Sequence, residues 1–287
     1  MQLHKLTSTD GFIVFDLDDA PAVGVVRLAP KVLRDGAELL ARSTTYAAAS
    51  FELQVRGGSG AINAKLDDRD AAVAAFVAEV TELVESDRWL PGPGLGVTAD
   101  DLASLPRGEQ RASAFDQTAT GESAVAAAAG ALGSIDGVRM AIVGTGPVAE
   151  AAAAAASGHG ATAEPGAAMD ADCDVLLVAG KAGVLEHDLA ATVKGRAVVP
   201  LTPVPVTARA LAVLGRAGTV VVPDFLSTAA PLLAAFAPDG GDPLERVRTS
   251  VAEVAGEGTG LWMAACLRAE TFLRTWQSEL PFGRPLA

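Results

Sequence analysis

Cysteine is nearly absent from these 287 residues, with only Cys173 and Cys266 present. They form no CxxC and no cluster with histidine, which excludes a disulfide framework and a zinc site built on thiolates. Positive charge is scarce: 22 Lys and Arg stand against 35 Asp and Glu, a formal net charge of −13. Without a basic run, nucleic acid and anionic membrane surfaces are poor partners, and the acidity serves solubility. Long apolar runs are also missing, since none reaches the roughly 18 residues of a membrane helix. The opening MQLHKLTSTDGF lacks the basic-then-apolar order of a signal peptide. The expectation is a cytoplasmic protein with a small-molecule substrate and neither a nucleic-acid nor a membrane partner.

Half the residues are hydrophobic and 20% are charged, a globular balance. The length suits about two domains. In the first half, Phe12–Phe15 and Pro21–Leu28 are β-favouring, with a turn over Asp16 to Asp19 between them. A helix is expected from Asp35 to Ser50 with Leu39, Leu40, Thr44 and Ala47 on one face. Gly57-Gly58-Ser59-Gly60 is expected to be flexible punctuation, and Arg56 beside it a solvated loop arginine or an anion binder. Asp67 and Asp68 can cap a helix carrying Val73, Phe76, Val80, Leu83 and Val84, which Pro91-Gly92-Pro93-Gly94 terminates. Residues 103–117 are polar and punctuated by Gly and Pro, as expected of an approach to a second domain.

The second half alternates. Strands are expected at Val138–Val143, Asp174–Val178, Ala197–Leu201 and Thr219–Val222, with helices over Gly121–Leu132, Glu186–Val193 and Thr207–Leu214. Two closing helices are expected near 242–256 and 260–277, with Trp262, Met263 and Phe272 in the core. The alanine tracts suit tightly packed helices. Alternation of this kind implies a parallel, doubly wound sheet.

One motif carries chemistry. Gly144-Thr145-Gly146-Pro147-Val148-Ala149 matches G-x-G-x-x-G/A and has the required strand before it and helix after it. The first glycine permits a tight turn, the second lets the backbone approach a pyrophosphate, and the small third residue lets helix and strand pack closely. The helix N-terminus then offers N–H groups to phosphate. A ribose-binding acid is expected about 20 residues on. Glu164, on a short strand cut off by Pro165-Gly166, is the candidate. The cofactor is NAD or NADP, and the sequence leaves the choice open.

From end to end the chain resembles the Glu/Leu/Phe/Val dehydrogenase family, leucine and phenylalanine dehydrogenases most of all. Pro21–Arg27 resembles the family's strand ending in Gly-Gly-Thr-Arg, which puts Gly24 in the cleft, and Thr44–Ala49 with Tyr46 resembles its Met-Thr-Tyr-Lys-x-Ala helix. Arg56–Ile62 resembles the Gly-Gly-Gly-Lys loop, and Gly94–Leu102 the Asp-Val-Gly-Thr-x-x-x-Asp-Met segment. Thr118-Ala119-Thr120-Gly121 matches Thr-Ala-x-Gly, whose threonine lies at the nicotinamide. Cys173–Leu177, with Ala179 on the cofactor side just beyond, and Val221–Leu226 match later strands, and Gly260–Phe272 the closing helix.

The resemblance implies an α/β architecture: an N-terminal α/β dimerisation and substrate domain over 1–115, a shortened Rossmann-like doubly wound domain over 116–258, and a helix over 259–287 returning to the first domain. It also implies a homodimer or larger homo-oligomer, with Phe12–Phe15 as the edge strand for pairing. The departures fall on the chemistry. Ala47 stands where the family has its first lysine, Ser59 or Gly60 where it has the second, and Gly94 where it has the aspartate. Thr228 replaces a substrate-side asparagine, and another falls near Pro203 or Val204. Deamination needs a base of depressed pKa and a cation for the α-carboxylate, and these residues supply neither. The expectation is a divergent oxidoreductase on an altered amino, keto or imine substrate, or a catalytically silent relative acting as partner subunit, regulator or small-molecule binder. Arg56, Ser59, Gly24, Tyr46 and Thr228 are the cleft candidates. Lys65 is expected to face solvent, and His159, His187 and Asp16 with Asp18 and Asp19 to be helix-end or turn residues; no metal site is expected.

Overall fold

A computed structural model describes every residue except Asp19, Gly258, Thr259, Pro281 and Phe282. The end of the expected Asp16–Asp19 turn and the expected boundary at 258–259 lie outside the described residues. The chain builds two five-stranded sheets in succession. The first holds β1 (Gln2–Lys5), β2 (Gly11–Phe15), β3 (Ala22–Ala29), β4 (Arg56–Asn63) and β5 (Trp89–Gly92), in the order β1-β2-β4-β3-β5. β3 runs parallel to β4 and β5, while β2 is antiparallel to both β1 and β4. Helix α1 (Arg34–Ser50) covers one face, and α2 (Arg69–Glu85) carries Val73, Phe76, Val80 and Val84 inward as its spacing predicts.

The Gly57–Gly60 segment is not flexible: it is the middle of β4, and β4 is buried from Arg56 to Ile62. A Cβ on Gly57 would overlap the Ala41 carbonyl of α1, and one on Gly58 or Gly60 would come within 2.9 Å of the Trp89 ring. Glycine here admits a helix on one face and an indole on the other, a role that punctuation rules do not capture. Trp89 is fully buried, edge-to-face against Phe15 and Phe76 at 6.0 and 6.1 Å. Pro91-Gly92 therefore does not end α2, which stops at Glu85; it belongs to β5, an edge strand, where proline is tolerated. Phe12–Phe15 is not an edge either, because β1 pairs alongside β2 and is itself the exposed edge.

Within 103–117, α3 (Gly108–Ala114) forms, and it is followed by α4 (Gln117–Leu132), capped by the Asp116 carboxylate accepting from the Thr118 and Ala119 N–H groups. The second sheet is wholly parallel: β6 (Arg139–Val143), β7 (Thr162–Pro165), β8 (Val175–Val178), β9 (Ala197–Pro200) and β10 (Val220–Val221), ordered β10-β9-β8-β6-β7. Helix α5 (Pro147–Gly158) joins β6 to β7, while α6 (His187–Ala190) and α7 (Ala208–Arg216) serve the later crossovers. Between β7 and β8 there is neither helix nor strand, which is the shortening the sequence predicts. Then come α8 (Asp224–Ser227), α9 (Ala230–Phe236), α10 (Pro243–Ala255) and α11 (Leu261–Leu273). Helix packing is close because it is built on small residues: a Cβ on Gly121 of α4 would sit 2.7 Å from the Ala152 N of α5. Helix α11 returns to α1, with Trp262 buried as expected, whereas Met263 faces outward at 37% exposure because the buried stripe of α11 falls on the other side. Lys65 is exposed as predicted.

Candidate functional site

At the carboxyl end of β6 the chain makes the turn the motif demands. Gly144 and Gly146 adopt φ of 101° and 99°, a region that side chains beyond glycine rarely enter. A Cβ on Gly144 would lie 3.0 Å from the Ala179 side chain beyond β8, whereas the space around a Cβ at Gly146 is open. The turn is braced on both sides: Gly166 N–H donates to the Gly144 carbonyl at 3.0 Å and Ala179 N–H to the Val143 carbonyl at 2.9 Å. Pro147 occupies the first turn of α5, and Glu150 N–H closes onto the Gly146 carbonyl at 3.0 Å. The Val148 and Ala149 N–H groups thus precede the helical ladder, with the positive end of the dipole behind them. β6 pairs with β7 on one side and β8 on the other, so the turn lies at the switch point where open α/β sheets bind ligands. The open glycine cradle and these amides fit a pyrophosphate. Glu164 is exposed on β7, opposite Ala141 of β6 and one residue before the strand ends. Residues 140–180 contain no Lys or Arg.

Facing this turn, a cavity of about 320 Å³ opens between the two sheets. Its walls come from Gly24 and Val25 of β3, a stripe on α1 (Leu40, Ser43, Thr44, Ala47), and Gln117 and Thr120 of α4. Val148 of α5, Thr202 and Pro203 after β9, and Thr228 with Leu232 complete them. Among the described residues no charged side chain lines this cavity. Pro93, Phe115 and Gln117 separate it from a larger groove of about 870 Å³ that Gly94, Thr98, Asp100 and Asp116 also line.

Of the predicted site residues, the cleft candidates Gly24 and Thr228, Ala47 at the family's first lysine position and the cofactor-binding candidate Val148 therefore meet, and Gly94 stands in the adjoining groove. Thr118 is exposed in the first turn of α4 and does not line the cavity; Gln117 and Thr120 of that turn do. Tyr46, Arg56 and Ser59 turn elsewhere. Tyr46 is buried with its hydroxyl on Glu270 at 3.2 Å, and Glu270 pairs with Arg284 at 2.6 Å. The Arg284 guanidinium holds the Glu270 carboxyl below the usual range. Arg56 is no solvated loop residue: it is 7% exposed, donates to the Leu17 carbonyl, and lies 4.8 Å from the Phe15 ring centroid. β4 carries it into the core because that segment is a strand and not a loop. Ser59 is fully buried in the same strand. Asp16 stands in the bend after β2, as expected, and is there a buried partner of Arg42, 2.7 Å away. His159 and His187 are exposed at helix ends, and no group of three or more metal-ligating side chains forms among the described residues.

One polar pair in the wall escaped sequence reasoning. Ser43, on the cavity side of α1, donates its hydroxyl to Asp224 Oδ2 at 2.5 Å, and Val204 N–H donates to the same oxygen at 2.9 Å. Asp224 is 4% exposed, and burial pushes its carboxyl up to about 6 despite these hydrogen bonds and those from the first amides of α8. Val204 sits at φ 53°, an outlying conformation for a β-branched residue. The Asp224 contact holds this strained loop, which follows Thr202 and Pro203, against the cavity. Ser43 and Asp224 are 181 residues apart, so no local pattern announces them.

A glycine turn at the switch point of a parallel sheet, facing a cleft shared with a second sheet, defines a two-lobed α/β architecture. No family model and no curated protein matches this sequence. Solved structures do. A hetero-hexameric glutamate dehydrogenase from Thermus thermophilus, solved with Leu bound, aligns at a TM-score of 0.77 and 22% identity over 94% of this chain and 86% of that one. L-tryptophan dehydrogenase from Nostoc punctiforme aligns at 0.69 and 18% over 96% and 95%. A glutamate dehydrogenase from Plasmodium falciparum aligns at 0.75 and 12% over 94% and 80%. The chain has the amino-acid dehydrogenase fold over nearly its whole length. No described helix is long and apolar enough to cross a membrane.

Proposed function

We propose that this chain is a nicotinamide-dependent oxidoreductase acting on an altered amino, keto or imine compound, and not an ordinary oxidative deaminase. The observation that carries this reading is the Gly144–Ala149 turn at the sheet's switch point, opening onto a cleft without a lysine or aspartate. Gly144, Thr145, Gly146 and the Val148 amide would hold the pyrophosphate, with Ala179 beside it and Thr118 or Thr120 toward the nicotinamide. A nicotinamide held by these residues would supply hydride transfer. Glu164, in a stretch free of Lys and Arg, favours NAD, whose ribose hydroxyl it can accept, over NADP, whose phosphate it would repel. Fluorescence titration with NADH and NADPH tests this: NADH should bind more tightly, Glu164→Ala should narrow the gap, and affinity for neither ends the reading.

A second reading is favoured by the uncharged cleft and by the hetero-hexameric assembly of the Thermus relative. In it the chain is a catalytically silent subunit or small-molecule binder within a larger dehydrogenase, and turnover by the isolated chain would remove it. The divisions at 1–115, 116–258 and 259–287 and a cytoplasmic location accord with either reading. So does a homodimer or larger assembly, with the exposed edge β1 as the pairing strand in place of β2. A monomer by light scattering at micromolar concentration would overturn the assembly.

A further inference from the structure

We propose that the cleft takes an uncharged ligand: an apolar body carrying one carbonyl or hydroxyl oxygen, which hydrogen-bonds Ser43. This deepens the oxidoreductase reading by naming the class of its substrate. The argument starts from α1, whose positions 40, 43, 44 and 47 form a single stripe at helical spacing, filled by Leu, Ser, Thr and Ala. Across the cleft stand Val25, Pro203 and Leu232. A carboxylate entering this space would shed water and meet no cation among the lining residues, and an ammonium would have only the Asp224 carboxylate, one hydrogen bond behind Ser43, so either carries a heavy desolvation cost. An apolar body would meet matching walls, and a cavity near 320 Å³ holds a molecule of about a dozen heavy atoms.

Ser43 and Thr228 both donate to the buried Asp224, Thr228 to its backbone carbonyl and Ser43 to its carboxylate, so Ser43 is the wall hydroxyl whose partner can titrate. While its hydroxyl donates to Asp224 Oδ2, its lone pairs remain to accept from a ligand hydroxyl. If the carboxyl is protonated, the Ser43 hydrogen is free for a ligand carbonyl. The same pair can thus meet either the hydroxyl or the carbonyl form of one compound. A ligand with two charges would need anchors that these walls lack.

Among the described residues two cations are rival anchors for an anion: Arg111, which lines the adjoining groove but donates to the Pro91, Leu102 and Pro106 carbonyls, and Arg27. Arg27 lies two residues beyond Val25 on β3, with Nε and Nη2 buried and without a hydrogen-bond partner among the described residues. Its guanidinium packs toward Gly36, one helical turn before Leu40, and does not line the cavity.

Calorimetric titration of the full chain, with and without NADH, tests the proposal using three probes that share a phenyl ring. These are 4-phenylbutan-2-one (uncharged), 3-phenylpyruvate (a carboxylate) and L-phenylalanine (a zwitterion). The ketone should bind at least about tenfold more tightly than either charged probe, and Ser43→Ala should weaken it by about tenfold, the scale of one hydrogen bond. Ala47→Lys should move phenylpyruvate ahead of the ketone, whereas Arg27→Met should leave the order unchanged. Wild-type binding of phenylpyruvate or phenylalanine as tight as that of the ketone overturns the proposal, as does absence of ketone binding. So does phenylpyruvate binding that Arg27→Met abolishes. Ketone binding that persists where NADH does not bind would end the redox reading and leave this one standing.

Discussion

Asp224 makes a sharp test of the energetics behind the cleft. Its carboxyl is buried under α1 and the Val204 loop, and desolvation raises its pKa from 3.8 to about 6. A raised carboxyl favours the protonated form in the folded state. Its contribution to stability is therefore complete below the unfolded value near 4 and is lost as pH rises through about 6. At about 1.4 kcal/mol per pH unit, the loss approaches 3 kcal/mol by neutral pH. Cys266, which feels the same carboxylate, has its own thiol pushed up by burial and stays neutral throughout. Asp224→Asn removes the titration while keeping an oxygen for the Ser43 and Val204 donors. Urea denaturation of both proteins from pH 4 to 7.5 isolates the effect, because every other titrating group cancels in the difference. The stability of the variant relative to wild type should rise by about 2.4 kcal/mol across that range, most steeply between pH 4 and 6. Parallel pH profiles would refute the claim that this carboxyl is held against its desolvation cost. A difference falling with pH would refute its sign.

Gly57→Ala forces a methyl into the Ala41 carbonyl of α1 and should destabilise the fold by about 3 kcal/mol, measured as a lowered urea midpoint. Glu270→Gln breaks the pair with Arg284, whose side chain is 32% exposed, and should cost about 2 kcal/mol, less than a fully buried pair. Because the Glu270 carboxyl is held below its usual range, its contribution is present above the ordinary glutamate pKa and fades as pH falls, so the cost should shrink in acid denaturation series. Trp89→Ala opens a cavity between β4 and α2 and should cost about 3–5 kcal/mol in the same assay. Gly146→Val places a β-branched side chain at φ 99° in the open cradle and should abolish NADH binding measured by fluorescence.

The parallel sheet, the glycine turn and the interrupted β7 were legible because each rests on short-range chemistry: alternation, φ above zero, and proline's missing N–H. Gly57–Gly60 differ from the flexible punctuation expected because glycine has two uses, and residue type alone does not tell which applies. In a turn it relaxes the backbone; in β4 it makes room for Ala41 on one face and Trp89 on the other. A loop there implies a solvated Arg56, whereas the strand carries Arg56 into the core and buries Ser59, the residue that the resemblance aligns with a family lysine. Strand β1 and helix α3 were missed because four exposed residues and seven polar or small ones carry almost no periodic signal. The Ser43–Asp224 pair depends on packing between elements far apart in the chain, which residue type and spacing do not reveal.

The distribution of charge around α1 connects these observations. On the side away from the cavity, Arg42 is paired with Asp16, and Tyr46 is hydrogen-bonded to Glu270, itself paired with Arg284. These groups tie α1 to the segment after β2, to α11 and to the chain beyond it. On the cavity side the same helix offers hydroxyls and methyl groups. A helix that keeps ionic partners at its back has no difficulty burying charge, so its uncharged face is a property of that face and not of the helix. On the proposal of an uncharged ligand, selectivity in the cleft depends on desolvation: with no ions among the described lining residues, a charged ligand loses hydration free energy that the wall does not return, while an apolar body gains from releasing its water. The alanine at position 47 is the most economical place to reverse that preference, since one lysine there would stand within the same stripe as Ser43 and restore a cation to the wall.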